Sequence, residues 1–267
     1  MKEIITRSLS GFLYILILLL SIFISRYTFI GVFFIFGILS LYEFQKLIRY
    51  NKIWLYFLFA FLMLLFNSIT LPDYVVLTIL LLTIATEILL IRDLISIRII
   101  PMFEKKKYLT SIFYLITSII FLTQIPIYNN KYEPMIMAGS FFLIWTNDTF
   151  AYLVGKNFGK HKLLERISPK KTIEGFIGGL VFSLLAGYLI ATFTETLSTG
   201  IWLIISVIMS IFGSLGDLIQ SKFKRQAGVK DSGAIMPGHG GMFDRLDSII
   251  FASPFLYLFL QILNYVS

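Results

Sequence analysis

A chain of 267 residues with 57% hydrophobic and only 14% charged residues, and a mean hydropathy of +0.85, has no composition for a soluble domain. Its formal charge of +8 lies in short loops between apolar runs, so it gives no reason to expect a nucleic-acid partner. The absence of cysteine excludes disulfides, thiolate catalysis and Cys-ligated zinc, leaving His161 and His239 as the only imidazoles.

Apolar runs of about 17 to 25 residues, the length that crosses a bilayer core, recur along the whole chain. They predict nine membrane spans near 8–25, 28–44, 53–71, 74–92, 109–127, 134–155, 173–193, 199–219 and 248–265. The second and fourth are the weakest, because Glu43 and Glu87 lie in or near them; both acids read as polar contacts within the bundle. The first run is long and no small-x-small cleavage site follows it, so it does not read as a cleaved signal peptide. No repeat of fixed period is visible. The expected fold is therefore an all-α, polytopic integral membrane bundle forming one transmembrane domain over 1–267. Residues 1–130 read mainly as membrane scaffold, and 140–250 carry the polar chemistry.

Of the 23 Lys and Arg residues, only Arg26 and Lys131 fall in the odd-numbered connections. The others, from Lys2 and Arg7 through Lys105, Lys106 and Lys107 to the late loops, fall at the N-terminus and in the even-numbered connections. The positive-inside rule then predicts a cytoplasmic N-terminus and an external C-terminus.

The polar residues are gathered in the later spans. In span six, Asp148, Ala151, Tyr152 and Gly155 form a small and polar stripe in an apolar helix, where a charge costs roughly 2.5 to 3.5 kcal/mol unless it meets a cavity or partner. The next loop reads Gly155-Lys156-Asn-Phe-Gly159-Lys160-His161-Lys162, then Ser168-Pro169-Lys170-Lys171-Thr172-Ile-Glu174-Gly175. Ser168 before Pro169 predicts a helix start, with Ser168 as N-cap, and unpaired amides there suit phosphate. That placement favours a phosphate-binding role for Lys170 and Lys171 over orientation alone. Gly175 and Gly179 form a GxxxG, which predicts close helix packing. Span eight ends on Asp217, with Ser221 and Lys224 on its face at helical spacing; Asp244, Asp247 and Ser248 share one side at the start of span nine. Three helices thus each offer a carboxylate at similar depth, which suits a metal-complexed phosphate. The bland alternative is a salt bridge from Asp217 or Asp244 to Lys224 or Arg225 that only closes the bundle. His239, between Gly238 and Gly240, could equally be a hydrogen-bonded turn residue.

The run Ser221-x-Phe223-Lys224-Arg225-x4-Lys230-Asp231-x-Gly233-x2-Met236-Pro237-x-His239-Gly240-Gly241-Met242-x-Asp244-Arg245-Leu246-Asp247 closely resembles the signature of the phosphatidate cytidylyltransferase (CDP-diacylglycerol synthase) family. Asn147-Asp148…Ala151-Tyr152…Gly155…Phe158-Gly159-Lys160 and Ser168-Pro169-x-Lys171-Thr172-x-Glu174-Gly175 resemble its second block. The resemblance covers about 145 to 248 of the chain; Met236 departs from the usual Leu, Ile or Phe by a volume-conserving swap.

The resemblance implies transfer of a cytidylyl group from CTP to phosphatidic acid, giving CDP-diacylglycerol and pyrophosphate, with Mg²⁺ and room for a second cation. The lipid phosphate is already an anion, so positioning and charge neutralisation suffice and no strong base is needed. By similarity Asp217 and Asp244 are the expected metal ligands, with Asp148 and Asp247 as second choices. Lys224, Arg225, Lys230 and Arg245 are expected at the triphosphate and departing pyrophosphate. Asp231 and His239 are counted with this catalytic group. Lys160, Ser168, Lys171, Thr172, Glu174 and Ser221 are expected at the substrates, and Gly238, Gly240 and Gly241 let the backbone approach the nucleotide. Independently of the resemblance, the charge asymmetry predicts a site facing the cytoplasm, and a single short multi-span chain without a transit sequence suggests a bacterial inner membrane; the oligomeric state is open between monomer and homodimer. Two other classes stay open: a CTP-dependent lipid or polyprenol kinase, which would need a base for its alcohol, and an ion-coupled transporter, whose site would lie nearer the midplane.

Overall fold

The computed structural model of the protein describes residues 2–96 and 99–266. Of the cations counted above, Arg98 lies outside the described residues, as does the side chain of Lys2. The helices are α1 Lys2–Ile24, α2 Arg26–Leu47, α3 Trp54–Ser68, α4 Asp73–Ser96, α5 Glu104–Leu109, α6 Thr117–Gln124, α7 Pro134–Phe158, α8 Ile173–Thr194, α9 Thr199–Gln226 and α10 Phe243–Val266. A π-helical stretch, Thr110–Ile116, joins α5 to α6, so nine helical segments stand among the described residues, as many as the spans expected. Six contain stretches long and apolar enough to cross a membrane: Thr6–Ile24, Arg26–Leu47, Asp73–Ile95, Ile173–Thr194, Thr199–Gln226 and Phe243–Tyr265. This is the construction of an integral membrane protein. Glu43 and Glu87 do not interrupt their helices; each is buried and bonded by groups of neighbouring elements.

Short polar signals set the boundaries. Ser25 and Thr28 bond reciprocally at the start of α2 (3.1 and 3.0 Å), and the Ser198 hydroxyl accepts from the Ile201 amide at the start of α9 (3.4 Å). Two small antiparallel hairpins complete the chain. In the first, β1 (Ile127–Tyr128) pairs with β2 (Lys131–Tyr132) through Asn129 and Asn130, both at positive φ. In the second, β3 (Lys162–Leu164) pairs with β4 (Ser168–Thr172), Lys162 opposite Thr172 and Leu164 opposite Ser168, with an irregularity between them.

This second hairpin corrects one expectation. Ser168 and Pro169 do not start a helix; they lie in β4, and α8 begins at Ile173 with Thr172 as its cap, whose hydroxyl accepts from the Gly175 amide at 3.1 Å. A proline that donates no amide is tolerated at a strand's first residues, and strand pairing outweighs the local Ser-Pro signal.

Packing fixes the helices that carry the polar groups. A Cβ on Gly175 would lie 2.6 Å from the Ala151 carbonyl oxygen, and one on Gly179 2.7 Å from that of Asn147, so α7 and α8 touch backbone to backbone. Phe44 of α2 meets Tyr114, Phe223 and Phe243 at ring separations of 5.6, 5.5 and 5.6 Å, locking α2 to the π-helical stretch, α9 and α10. On the far side of α9, the Lys222 ammonium donates to the carbonyls of Asp93 (2.6 Å) and Leu94 (3.4 Å). Asp93 in turn binds Lys106 and Arg92, so the end of α9 is held by α4 and α5.

Candidate active site

The polar residues meet where the C-terminal ends of α2, α7 and α9 adjoin the N-terminal ends of α1, α8 and α10. Along α9, the Ser221 hydroxyl donates to Asp217 Oδ1 at 3.2 Å, the i,i+4 contact expected from the spacing. Lys171, from the last turn of chain before α8, forms an ion pair with Asp217. Burial works against its ammonium, but the charges of Asp217, Asp148 and Asp247 together hold the Lys171 pKa above that of an ordinary lysine. One turn on, Lys224 Nζ lies 2.7 Å from Asp244 Oδ1. Asp244 Oδ2 accepts from the amides of Ser232 (2.8 Å) and Gly241 (2.9 Å).

The glycine-rich loop is a tight structure. Met236 and Gly240 pair as a bridge, with the Met236 amide donating to the Gly240 carbonyl at 2.9 Å; Gly238 and Gly240 adopt φ of 76° and 89°. Arg245 donates to the His239 carbonyl at 2.7 Å. From α1, Arg7 Nε donates to the Gly238 carbonyl (2.8 Å) and the Ser10 hydroxyl to that of Pro237 (2.9 Å). His239 Nδ1 lies 2.8 Å from the same hydroxyl. Burial first, then the charges of Arg245 and Arg7, pull the His239 pKa below the ordinary imidazole value, against the hydrogen bond with Pro237.

Two cavities adjoin these groups, and Asp148 lines both. One, of about 660 Å³, runs between α7, the second hairpin and α9; Lys156, Lys162, Lys170 and Lys171 line it with Ser168, Thr172, Tyr152 and Asp217. The other, of about 410 Å³, runs between α1, α7 and the glycine-rich loop. Its polar wall is His239, Asp244, Arg245, Asp247 and Ser248, and its apolar wall Ile15, Phe141, Ile144 and Trp145.

Most of the expected residues therefore converge. Asp148, Asp217, Asp244, Asp247, Ser168, Lys171, Thr172, His239 and Arg245 line the cavities, and Ser221 and Lys224 bond to acids that do. The carboxylate of Glu174 accepts the amides of Lys160 (3.0 Å) and His161 (3.1 Å) and meets His161 Nδ1 at 2.6 Å, so it ties the hairpin to α8. The Lys160 side chain is exposed. Arg225 donates to the Val229 carbonyl (3.1 Å), while Lys230 and Asp231 stand exposed on the loop; none of the three lines either cavity. Gly238, Gly240 and Gly241 shape the loop backbone. Arg7, Ser10 and Tyr14 of α1 carry no local signal, because the loop and helix start that they bond to lie 227 or more residues away; Trp145 of α7, which lines the smaller cavity, carries none either. Lys156 and Lys162 stood in the run already quoted, and their basic pattern was the available signal.

The donors that a cation would find here are carboxylate oxygens, which suit a hard divalent ion. Among the described residues no three of His, Asp and Glu form a ready-made ligand cluster; Asp217 and Asp244 are instead each held by a lysine.

The model of the Cytidylyltransferase family matches residues 5–263. Curated relatives named phosphatidate cytidylyltransferase from Staphylococcus haemolyticus (strain JCSC1435) and Staphylococcus aureus (strain COL) are each 52% identical to this chain over 123 residues. One of the same name from Staphylococcus saprophyticus is 50% identical over 123 residues. Each match covers 45% of this chain and 47% of the relative, so the chain spans about half the length of the curated relatives that it matches.

Proposed function

This chain belongs to the cytidylyltransferase family, and from that premise we propose that it transfers a cytidylyl group from CTP to phosphatidic acid, giving CDP-diacylglycerol and pyrophosphate. The observation that carries this reading is the pair of unlike cavities meeting at Asp148. A nucleoside triphosphate is a dense anion, and the larger cavity offers it four lysines. A lipid phosphate is an anion with an apolar tail, and the smaller cavity offers Arg245 and His239 opposite a wall of Ile15, Phe141, Ile144 and Trp145 drawn from long helices. The two substrates then meet where the acids lie.

In the reaction an oxygen of the lipid phosphate attacks the α-phosphorus of CTP, and the bond from that phosphorus to the α–β bridging oxygen breaks. The electron pair leaves with pyrophosphate. Lys156, Lys162, Lys170 and Lys171 neutralise the triphosphate and stabilise the departing charge. We give them this role in place of Arg225 and Lys230, which stand away from the cavities. Arg245 orients the lipid phosphate, and Lys224 holds Asp244 in place. Asp217 and Asp244 would hold Mg²⁺, which when bound supplies further neutralisation of the phosphates. Asp148 and Asp247 stand beside Lys171 and favour its charged form.

The asymmetry of Lys and Arg between the connections supports a cytoplasmic face for this end of the bundle, where CTP is found, and an external C-terminus. The Staphylococcus relatives support a bacterial cytoplasmic membrane. The test is to supply the detergent-purified protein with phosphatidic acid, Mg²⁺ and CTP labelled at the γ-phosphate. Label leaving as pyrophosphate only when the lipid is present is the expected result. Label retained on the lipid would replace the proposal with a kinase.

A further inference from the structure

The acid that touches the glycine-rich loop most extensively is not part of the signature. Glu43 lies near the end of α2, 1% exposed, and all its hydrogen-bond donors belong to the loop and the start of α10. Its Oε1 accepts from the Met242 amide (3.2 Å), and its Oε2 from the Phe243 amide (2.8 Å) and the Ser232 hydroxyl (2.9 Å). Amides at the start of a helix have no partner within the helix, and a carboxylate there satisfies them and complements the dipole. Helix α10 is thus capped by a residue 200 positions away.

Asp244 closes the arrangement from the other side. Ser232 is gripped twice, its hydroxyl by Glu43 and its amide by Asp244 at 2.8 Å. The loop glycines fit the same geometry: a Cβ on Gly233 would lie 2.7 Å from Glu43 Cδ, and one on Gly241 2.6 Å from it. Gly233 and Gly241 therefore make room for the glutamate rather than for a ligand. The neighbouring Phe44 fixes this turn of α2 against Phe223 and Phe243, so the carboxylate is held rigidly.

We propose that Glu43 is the positioning residue of this site: it anchors the first turn of α10 and, through Ser232, fixes the orientation of the Asp244 carboxylate. The proposal rests on the reaction proposed above for its kinetic consequence, but its structural content does not. Glu43 touches neither cavity, so it acts through Asp244 and not by contact with either substrate.

The experiment compares Glu43→Gln, Glu43→Asp and Ser232→Ala with the exposed control Glu104→Gln in detergent-purified protein, by steady-state kinetics and by hydrogen exchange of the loop amides. Replacing one acceptor of a charge-assisted network is expected to lower kcat about tenfold or more in Glu43→Gln. KM for CTP and phosphatidic acid should stay within about threefold of the parent. Glu43→Asp keeps both acceptors and should recover part of the loss, and Ser232→Ala, which breaks a single link, should fall between. The amides of Ser232 and Gly241 bond to Asp244 and not to Glu43, so their faster exchange in Glu43→Gln would report that Asp244 has moved. Unchanged exchange at those two amides, or a kcat in Glu43→Gln no lower than in Glu104→Gln, would overturn the proposal. A parent protein without cytidylyl transfer would defeat the reaction while the exchange comparison still decided the positioning.

Discussion

The ammonium of Lys224 lies 2.7 Å from a carboxylate oxygen of Asp244, with the two side chains only 11% and 5% exposed. One stands at the end of α9 and the other at the start of α10, so the pair closes the junction between two long helices as well as the loop that links them. Removing one member leaves the other charge buried and uncompensated. Lys224→Met is therefore expected to cost about 3 kcal/mol or more of stability, and the double variant Lys224→Met/Asp244→Leu less than the sum of its parts. Thermal unfolding in detergent measures both. Turnover should vanish in Lys224→Met, in Asp244→Leu and in the double variant, because each disturbs a carboxylate that lines the site.

Gly228, Gly238 and Gly240 share a left-handed backbone but differ in surroundings. A Cβ on Gly228 (φ 74°) would meet nothing within 4 Å, whereas one on Gly240 (φ 89°) would lie 2.9 Å from Asp244 Oδ2 and 3.2 Å from Asp231 Cβ. Gly228→Ala should cost only the backbone penalty of roughly 1–2 kcal/mol and leave kcat unaffected. Gly240→Ala should cost more and reduce turnover, because Asp244 must give way. Comparing melting temperature with kcat for the two variants checks whether the loop glycines serve the turn alone or the carboxylate behind it.

His239 gives the site a pH dependence of definite sign. Its folded pKa lies below the ordinary value of 6.5, with burial as the largest cause and Arg245 and Arg7 next. Between the folded and unfolded values the unfolded chain binds more protons, so stability rises with pH in that window. The contribution is complete above the unfolded value and is lost as pH falls through the folded one. Melting temperatures taken between about pH 7.5 and about pH 5 should therefore fall more steeply for the parent than for His239→Gln. A parallel decline in the two would exclude this imidazole as the source.

How much of this was visible in the sequence depended on the range of the interaction. The nine helical segments among the described residues follow from hydropathy, and Ser221 on Asp217 from helical spacing, because both signals are local. Ser168-Pro169 reads locally as the start of α8, but a short hairpin formed with residues 162–164 overrides that cap signal. The partners of the acids were beyond reach. Lys171 to Asp217 spans a whole helical pair, Arg7 to Gly238 nearly the whole chain, and Glu43 read only as a polar contact in an apolar helix. Charge in a membrane helix announced that a partner must exist without saying which one.

The larger cavity supplies the last prediction. Lys156, Lys162 and Lys170 line it without an ion pair among the described residues, whereas Lys171 is committed to Asp217. Removing an uncommitted lysine leaves no buried acid behind, so Lys156→Ala and Lys170→Ala should fold as the parent does. Each loses a charged contact to the triphosphate, and KM for CTP should rise about tenfold while KM for phosphatidic acid changes little. Because the contact is electrostatic and partly exposed, the parent's KM for CTP should also rise with ionic strength, and more steeply than that of either variant. If the change appeared in KM for phosphatidic acid instead, the two cavities would have to exchange substrates, with the lipid phosphate among the lysines and the nucleotide beside Trp145.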